Sequence, residues 1–309
     1  MNPKIKVVST GKYIPDEMMT NDDLAQIVDT SHEWIYSRTG IETRYVAKEM
    51  TTADLAYLSA KNAIDKLAYD ITKIDLIVVA TMTNELKNPS IANIVQAKLG
   101  LNDQNIMAFD LNAACTGFIY ALDVASSLLN SKKFKAALVI GAEKMSEIID
   151  YQDRNTCVLF GDGAGAVIIE KSENIEDQAY FYSDSSGDTN ETLYVLNKLK
   201  MDGKKVYQFA VDVVPKAITH ILNQANTTME NIDMVIPHQA NKRIIESVAK
   251  HLNLPVTQFF MNINKYGNTS AASIPIALDE YKETQTSSKK VLLVGFGGGF
   301  TWGSAIIKI

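Results

Sequence analysis

The sequence has little of what would place it in a specialised class of protein. Only two cysteines, Cys115 and Cys157, occur among 309 residues, so a disulfide framework is not expected. Seven prolines and 16 glycines are too few for a fibrous or disordered chain, and 46% hydrophobic residues are enough for a core. No run approaches the roughly 18 apolar residues of a membrane span, and the opening segment does not resemble a signal peptide. We therefore expect a cytoplasmic globular protein that does not enter a membrane.

The charge balance is mildly acidic. Lys and Arg total 30 and Asp and Glu total 36, which gives a net charge of −6. This balance does not favour nucleic acid as a partner, although a local basic surface could still bind an acidic protein. No pattern typical of a metal site, a flavin or a lysine-bound cofactor occurs, so we expect no metal and no prosthetic group.

Helical and strand-like segments alternate along the chain. Residues 53–70 place apolar side chains at helical spacing, and the continuous apolar run 74–81 is typical of a strand covered on both faces. The further predicted segments are helices at 91–99, 116–130, 206–225 and 270–281, and strands at 106–111, 136–141, 232–239 and 291–297. This alternation predicts an α/β fold, with the polar stretch 171–205 as a connection or a surface flap.

The second half of the sequence repeats the pattern of the first, with the run FFMNIN (259–264) in the place of a strand. Three pairs of equivalent residues show a slowly drifting offset: Asp75 and Asp233 (233 − 75 = 158), Ala121 and Ala277 (277 − 121 = 156), and Gly141 and Gly295 (295 − 141 = 154). Such an offset is what duplication with small deletions leaves. We therefore expect two α/β halves, residues 1–170 and 171–309, that share one core.

Cys115 stands where an apolar strand meets a small-residue turn and then an apolar helix. A thiol at a buried helix N-terminus is favoured as thiolate by the partial positive charge there, which suits a nucleophile. A buried structural cysteine explains the local sequence about as well. Cys157 follows no such strand-to-helix turn and is expected in the core.

His238 and Asn268 are the other candidate polar residues. His238 directly follows the buried apolar run MVIP, at the strand end where α/β folds bind ligands, although it could simply satisfy a loop hydrogen bond. Asn268 precedes the helix that the repeat matches to the Cys115 helix, so pseudo-symmetry brings Cys115 and Asn268 together. A turn and helix cap explains Asn268 equally well.

Two glycine-rich segments complete the set of candidates. GFGGGFTWG (295–303) lets backbone approach closely and could supply N–H donors to an oxyanion, or it could be a turn between strands. FGDGAGA (160–166) lacks the lysine of a phosphate loop, so a tight structural turn is the better interpretation.

Together these residues resemble the β-ketoacyl-acyl-carrier-protein synthase III enzymes of the thiolase superfamily. The similarity runs from about Ile5 to the last residue. It rests on NAACTGF around Cys115, IPHQAN around His238, KYGNTSAASIP around Asn268, the turn FGDGAGA and the ending GFGGGFTWG, with TSHEWIYSRTGI near the start. The resemblance implies a thiolase-like fold, in which two pseudo-repeated α/β halves form a layered α-β-α-β-α core, and a homodimer.

The resemblance also implies a mechanism and its residues. Cys115 would take an acyl group from acyl-CoA, and His238 and Asn268 would promote decarboxylation of malonyl-acyl-carrier protein, giving a β-ketoacyl-carrier protein at the start of fatty acid synthesis. The backbone N–H groups of Cys115 and Gly298 would form the oxyanion hole. Such a reaction needs a nucleophile that is also a good leaving group, and donors aimed at two developing oxyanions.

Binding residues follow from the same matching. Trp34 would stack on the adenine of CoA, which is a substrate here and not a cofactor. The other positions that match CoA contacts in the family are Thr30, Arg38, Arg154 and Asn241. Arg243 and Lys250, seven residues apart on one predicted helix, match positions that bind the acidic carrier protein.

Two departures from the family pattern leave alternatives open. Asn88 replaces a common apolar residue that closes the acyl pocket across the dimer, and Gln208 replaces a basic residue of the docking surface. A paralogue that primes or transfers an unusual acyl group in secondary metabolism is the main alternative. A thiolase, a Cys–His–Asn hydrolase and a non-catalytic CoA or carrier-protein binder fit the sequence less well.

Overall fold

The computed structural model describes residues 2–131 and 133–309. The strands are, in chain order, β1 (Ile5–Tyr13), β2 (Glu17–Thr20), β3 (Thr43–Val46), β4 (Leu76–Ala80), β5 (Met107–Leu111), β6 (Ala136–Glu143), β7 (Gly163–Lys171), β8 (Tyr180–Ser185), β9 (Leu193–Val195), β10 (Leu199–Met201), β11 (Met234–Pro237), β12 (Lys290–Gly297) and β13 (Thr301–Lys308).

The helices alternate with these strands. They are α1 (Asn21–Ala25), α2 (His32–Thr39), α3 (Thr52–Asp65), α4 (Ile91–Lys98), α5 (Gly117–Asn130), α6 (Met145–Ile148), α7 (Arg154–Cys157), α8 (Gly203–Gln224), α9 (Lys242–His251), α10 (Ile263–Tyr266) and α11 (Ser273–Glu283). Short 3-10 helices, Ala114–Thr116 and Ser270–Ala272, precede α5 and α11 directly.

Two sheets form the framework. The first has the strand order β1-β7-β6-β4-β5, with β4 parallel to both β5 and β6, and its strands lie between residues 5 and 171. The second has the order β11-β12-β13-β8, and its strands lie between residues 180 and 308. The expected α/β alternation is therefore observed.

Local sequence explains the main elements. Every residue of β4, LIVVA, is buried, because both faces of this central strand are covered. Helix α3 begins at a capping box in which Thr51 and Asp54 each bond the other's backbone N–H. It ends at Asp65, five residues before the predicted end at residue 70.

The elements stack in five layers. Helix α3 covers the outer face of the first sheet, α5 and α11 lie between the sheets, and α8 covers the outer face of the second sheet with α9 against it. One apolar cluster joins both sheets through the two central helices, and it includes Val78, Phe118, Leu278 and Leu293. The shared core expected for the two halves is present.

The internal repeat is clearest at the two turns that lead into the central helices. We call residues 112–116 the first elbow and residues 268–272 the second elbow. Asn112 Oδ1 accepts the Ala114 N–H at 3.0 Å, and Asn268 Oδ1 accepts the Ser270 N–H at 2.8 Å. Ala114 and Ser270 are 156 residues apart (270 − 114) and have left-handed φ angles of 47° and 49°. The elbows are therefore copies of one strained turn.

The repeat is not complete elsewhere. The run 259–264, which stands in place of a strand, makes a single bridge from Phe259 to Val235 and then turns into α10. The polar stretch 171–205 contributes β8 to the second sheet and the β9–β10 hairpin, so it is more regular than expected. Among the described residues, no helix combines the length and apolarity needed to cross a bilayer.

Close packing of the first sheet against α11 predicts the effect of a small substitution. A Cβ at Gly165 would lie 2.7 Å from the backbone atoms Ile276 N and Pro275 C, which cannot move aside singly. We expect Gly165→Ala to lower the free energy of unfolding by about 1–3 kcal/mol in urea titrations. A Cβ at Gly187 would have no heavy atom within 4 Å apart from its own residue and its chain neighbours. Gly187→Ala should therefore change the free energy of unfolding by less than about 0.5 kcal/mol. Equal urea midpoints for the two variants would contradict this account.

Candidate active site

A cavity of about 910 Å³ opens where the first elbow, the second elbow and the ends of β11 and β12 meet. Its walls include Cys115, His238, Asn241, Asn268, Gly297 and Gly298. The structure therefore brings together the three residues predicted to be catalytic, the predicted oxyanion glycine and one of the predicted CoA contacts.

Cys115 lies in the 3-10 turn that precedes α5, and only 8% of it is exposed. Backbone from the end of β12 approaches it closely, since a Cβ at Gly297 would lie 2.7 Å from Cys115 N. The Thr301 hydroxyl bonds the Ala113 carbonyl at 3.0 Å and the Thr116 hydroxyl at 3.1 Å, which fixes the turn from the other side. Small residues at these positions let the thiol reach the cavity at a fixed place.

Cys115 and Gly298, the two residues predicted to supply the oxyanion hole, both line the cavity. Neither Cys115 N nor Gly298 N donates a hydrogen bond to an acceptor within residues 2–131 and 133–309. Backbone donors of this kind, held beside a nucleophile, are what an oxyanion hole requires.

His238 follows β11 directly and is 3% exposed. Its backbone N–H bonds the Val294 carbonyl at 2.8 Å, and its Nδ1 lies 2.7 Å from the Ser273 hydroxyl. Phe296 contacts the imidazole edge-on, with the ring centres 5.5 Å apart. Burial lowers the pKa of His238 to about 3, so the imidazole is neutral at physiological pH.

Asn268 is anchored by backbone on both sides. Its N–H bonds the Leu159 carbonyl at 2.8 Å, and its carbonyl accepts the Gly161 N–H at 3.1 Å. Its Oδ1 caps the second elbow, so the amide Nδ2 is the side-chain group left to serve as a donor in the cavity. In FGDGAGA, only residues 160–162 form a loop, and Phe160 and Gly161 there contact Asn268. The remaining residues, from Gly163, begin strand β7, so the predicted tight turn covers less than half of the segment.

The charge state of the nucleophile differs from the expectation. Burial raises the pKa of the Cys115 thiol to about 12; a hydrogen bond with the Ser270 side chain opposes this rise and the charge of Glu143 adds to it. The predicted preference for thiolate is wrong for the resting protein, because burial outweighs the partial charge of the helix end. Cys157 is buried in an apolar cluster, as predicted.

The predicted CoA residues form a cluster on the surface beside the cavity. The guanidinium carbons of Arg38 and Arg154 lie 4.5 Å and 5.0 Å from the centre of the Trp34 ring. Thr30 has a buried hydroxyl without a hydrogen-bond partner among the described residues. None of these four residues lines the cavity itself, but Asn155, next to Arg154, does.

The predicted docking residues are exposed. Arg243 and Lys250 lie on α9, whose apolar residues pack inward, and neither forms an ion pair within the described part of the chain. Gln208 is exposed on the neighbouring helix α8, which packs against α9. Asn88 is also exposed and does not line the cavity of its own chain.

Comparison with known proteins accounts for this combination of fold and site. Family models for 3-oxoacyl-[acyl-carrier-protein] synthase III match residues 109–187, and those for its C-terminal part match residues 222–309. The β-ketoacyl-[acyl-carrier-protein] synthase III of Acholeplasma laidlawii is 56% identical over 308 residues, which cover 100% of this chain and 99% of that protein. The chain belongs to the β-ketoacyl-acyl-carrier-protein synthase III family.

Solved structures of this synthase III family have the same fold. The enzyme from Aquifex aeolicus VF5 superimposes with a TM-score of 0.94 at 44% identity, covering 99% of this chain and 100% of that one. The enzyme from Pseudomonas aeruginosa PAO1 gives a TM-score of 0.94 at 36% identity, covering 99% and 98%. The predicted thiolase-like fold is confirmed, and the chain is a condensing acyltransferase.

Three polar residues near the synthase III cavity were not found from sequence. Ser273 contacts His238, and the side chains of Ser270 and Glu143 hydrogen-bond each other at 3.1 Å beside Cys115. Aligning the two elbows would have marked Ser270, because it stands in the second copy where Ala114 stands in the first. Glu143 gives no such signal, because it is the last residue of an apolar strand.

The raised pKa of Cys115 has a direct spectroscopic consequence. Ultraviolet difference absorbance between the wild type and Cys115→Ser should show no thiolate from Cys115 between about pH 6 and pH 9, because the buried thiol keeps its proton there. A thiolate step below about pH 8 would show that the helix end outweighs burial. Burial raises the pKa of Cys157 to about 11. Cys157 is present in both proteins, so its absorbance cancels in the difference.

Proposed function

We propose that this protein condenses an acyl-CoA primer with malonyl-acyl-carrier protein through an acyl intermediate on Cys115, and so initiates fatty acid synthesis in the cytoplasm. The observation that carries the proposal is that Cys115, His238, Asn268 and Gly298 line one cavity, and that the backbone N–H groups of Cys115 and Gly298 have no acceptor within the described residues. No resident prosthetic group is needed, because both substrates arrive as activated thioesters.

Acylation is the first step. The Cys115 sulfur attacks the thioester carbonyl of acyl-CoA, and the oxyanion that forms accepts hydrogen bonds from Cys115 N and Gly298 N. The carbon–sulfur bond to CoA then breaks, and the CoA thiolate leaves as a thiol with the proton that Cys115 loses. The acyl group remains on Cys115 as a new thioester.

Decarboxylation and condensation follow. The malonyl thioester carbonyl accepts hydrogen bonds from His238 Nε2 and Asn268 Nδ2, which stabilise the enolate formed as CO₂ leaves. His238 Nδ1 lies 2.7 Å from the Ser273 hydroxyl. With this hydroxyl as the donor to Nδ1, the imidazole hydrogen is on Nε2, where this step needs a donor. The enolate carbon attacks the acyl carbonyl, the bond from that carbon to the Cys115 sulfur breaks, and the Cys115 thiolate takes up a proton from solvent.

Surface features support the proposed partners. Trp34, with the guanidinium groups of Arg38 and Arg154 close to its ring, combines an aromatic side chain with two cations, which suit the adenine and phosphates of CoA. Exposed Arg243 and Lys250 suit an acidic carrier protein.

A homodimer is supported by an unprotected sheet edge. Strand β5 ends the first sheet and pairs only with β4 among the described residues, and its first residue, Met107, is 43% exposed. Such an edge can pair with its copy in a second chain.

Intact-protein mass spectrometry tests the proposed function. Incubation with acetyl-, isobutyryl-, hexanoyl- or octanoyl-CoA should add one acyl mass to the wild type and none to Cys115→Ser, and the panel identifies the primer that the cavity admits. Absence of an adduct from every CoA thioester, with labelling by an acyl-carrier protein instead, would favour a paralogue that transfers acyl groups between carriers.

Asn268→Asp separates the two half-reactions. The variant retains the oxygen that caps the second elbow but loses the Nδ2 donor, so decarboxylation of malonyl-acyl-carrier protein should fall by about 10²–10³-fold. Acylation of Cys115 should persist. Asn112→Asp is the matched control, because Asn112 is its equivalent in the first elbow, and it should retain decarboxylation. An equal loss in both variants would refute the assigned role of Asn268.

A further inference from the structure

Glu143 has no role in the mechanism above, although it is fully buried beside the reacting thiol. Its Oε2 accepts hydrogen bonds from Thr83 Oγ1 at 2.8 Å, Met82 N at 3.2 Å and Thr81 Oγ1 at 3.3 Å. Its Oε1 accepts from Ser270 Oγ at 3.1 Å. A buried carboxylate is costly, and this one is stabilised by hydrogen bonds alone.

No cation compensates Glu143 among the described residues. Lys144, the next residue, directs its ammonium group to the Lys48 carbonyl at 3.0 Å and to Glu147 at 3.6 Å. Glu85 accepts a hydrogen bond from the backbone N–H of Thr52. The Thr52 hydroxyl contacts the Thr83 hydroxyl, which in turn bonds Glu143, so Glu85 does not contact Glu143 directly. The Cys115 thiol does face Glu143, because the charge of Glu143 adds to the rise in the pKa of that thiol.

Ser270 connects the carboxylate to the thiol. It occupies the left-handed position of the second elbow, a conformation that a serine rarely adopts. In this conformation its hydroxyl donates to Glu143 Oε1 at 3.1 Å and lies 3.7 Å from Met82 Sδ. The same hydroxyl interacts with the Cys115 thiol and lowers its pKa, against the larger rise that burial causes. Ser270 therefore has the carboxylate of Glu143 and the thiol of Cys115 as neighbours, since the turns that hold Cys115 and Ser270 pack against each other.

His238 is poorly suited to accept the thiol proton. Its Nδ1 is occupied by Ser273, and in the decarboxylation step its Nε2 must carry a hydrogen. Desolvation also lowers its pKa to about 3, which makes it a weak base. Burial raises the pKa of Glu143 to about 7, where a carboxylate exchanges a proton readily at physiological pH.

We propose that Glu143 accepts the Cys115 proton through the hydroxyl of Ser270 during acylation. The S–H proton moves to Ser270 Oγ while the Ser270 hydroxyl proton moves to Glu143 Oε1, so the serine is unchanged and a thiolate faces a neutral acid. The reverse transfer gives the proton to the departing CoA thiolate. This inference rests on the proposed acylation of Cys115.

The experiment measures single-turnover acylation by acetyl-CoA, followed by intact-protein mass spectrometry from about pH 6 to pH 9. Wild-type acylation should rise with pH and level off with an apparent pKa near 7, because the carboxylate form is the acceptor. Ser270→Ala and Glu143→Gln should lose this rise and acylate about 10²–10⁴-fold more slowly. Ala114 shows that alanine is accommodated at the equivalent elbow position, so Ser270→Ala should fold.

Two controls distinguish proton transfer from a structural role. Ser126→Ala removes a buried hydroxyl on α5 that has no partner in the described chain, and it should acylate like the wild type. Thr83→Val removes one hydrogen bond from Glu143 Oε2 and leaves Ser270 intact, so it should shift the pH dependence of acylation to higher pH. Ser270→Ala should still decarboxylate malonyl-acyl-carrier protein, because the Ser270 backbone that Asn268 caps is unchanged.

The outcomes separate the two proposals. If the wild type is not acylated at all, the proposed function fails and the relay fails with it. If the wild type is acylated and Ser270→Ala and Glu143→Gln retain its rate and pH dependence, only the relay is refuted. Two further results would refute the relay. One is that His238→Ala loses the rise of the acylation rate with pH, and the other is that Ser270→Ala loses decarboxylation to the same extent as acylation.

Discussion

The active site depends on the close approach of two backbone turns across the middle layer of the fold. The first elbow and the second elbow meet because small residues separate them from the sheets: a Cβ at Gly141 would lie 2.4 Å from the Ala271 carbonyl oxygen, and one at Gly297 would lie 2.7 Å from Cys115 N. The reacting groups therefore lie where two halves of the chain are packed against each other. Burial of these groups follows from this arrangement.

That burial determines the electrostatics of the site. It raises the pKa of Cys115 and lowers that of His238, so both are neutral when the protein is at rest. A neutral imidazole is a hydrogen-bond donor that the enolate step can use, and a protonated thiol is protected until acyl-CoA arrives. The same burial raises the pKa of Glu143 to about 7, which is close to physiological pH.

Much of this arrangement could be predicted from the sequence, and the reasons for the failures are physical. Apolar periodicity predicted the alternation and the repeat, and the resemblance identified Cys115, His238 and Asn268. Chain spacing does not report how deeply a group is buried, so the charge state of Cys115 was predicted wrongly. Glu143 was missed because a single acidic residue at the end of an apolar strand ordinarily marks the return to solvent.

The two elbows also show how one turn supports different chemistry. Each begins with an asparagine whose oxygen caps the turn and continues through a left-handed residue into a central helix. The first copy has alanine at the left-handed position and places the nucleophile Cys115 next, whereas the second has Ser270 there and Ala271 next. Since the backbones match, the difference lies in side chains alone: one elbow carries the sulfur, and the other carries the hydroxyl that contacts both that sulfur and Glu143. The pseudo-symmetry thus positions a proton path across the same contact that forms the site.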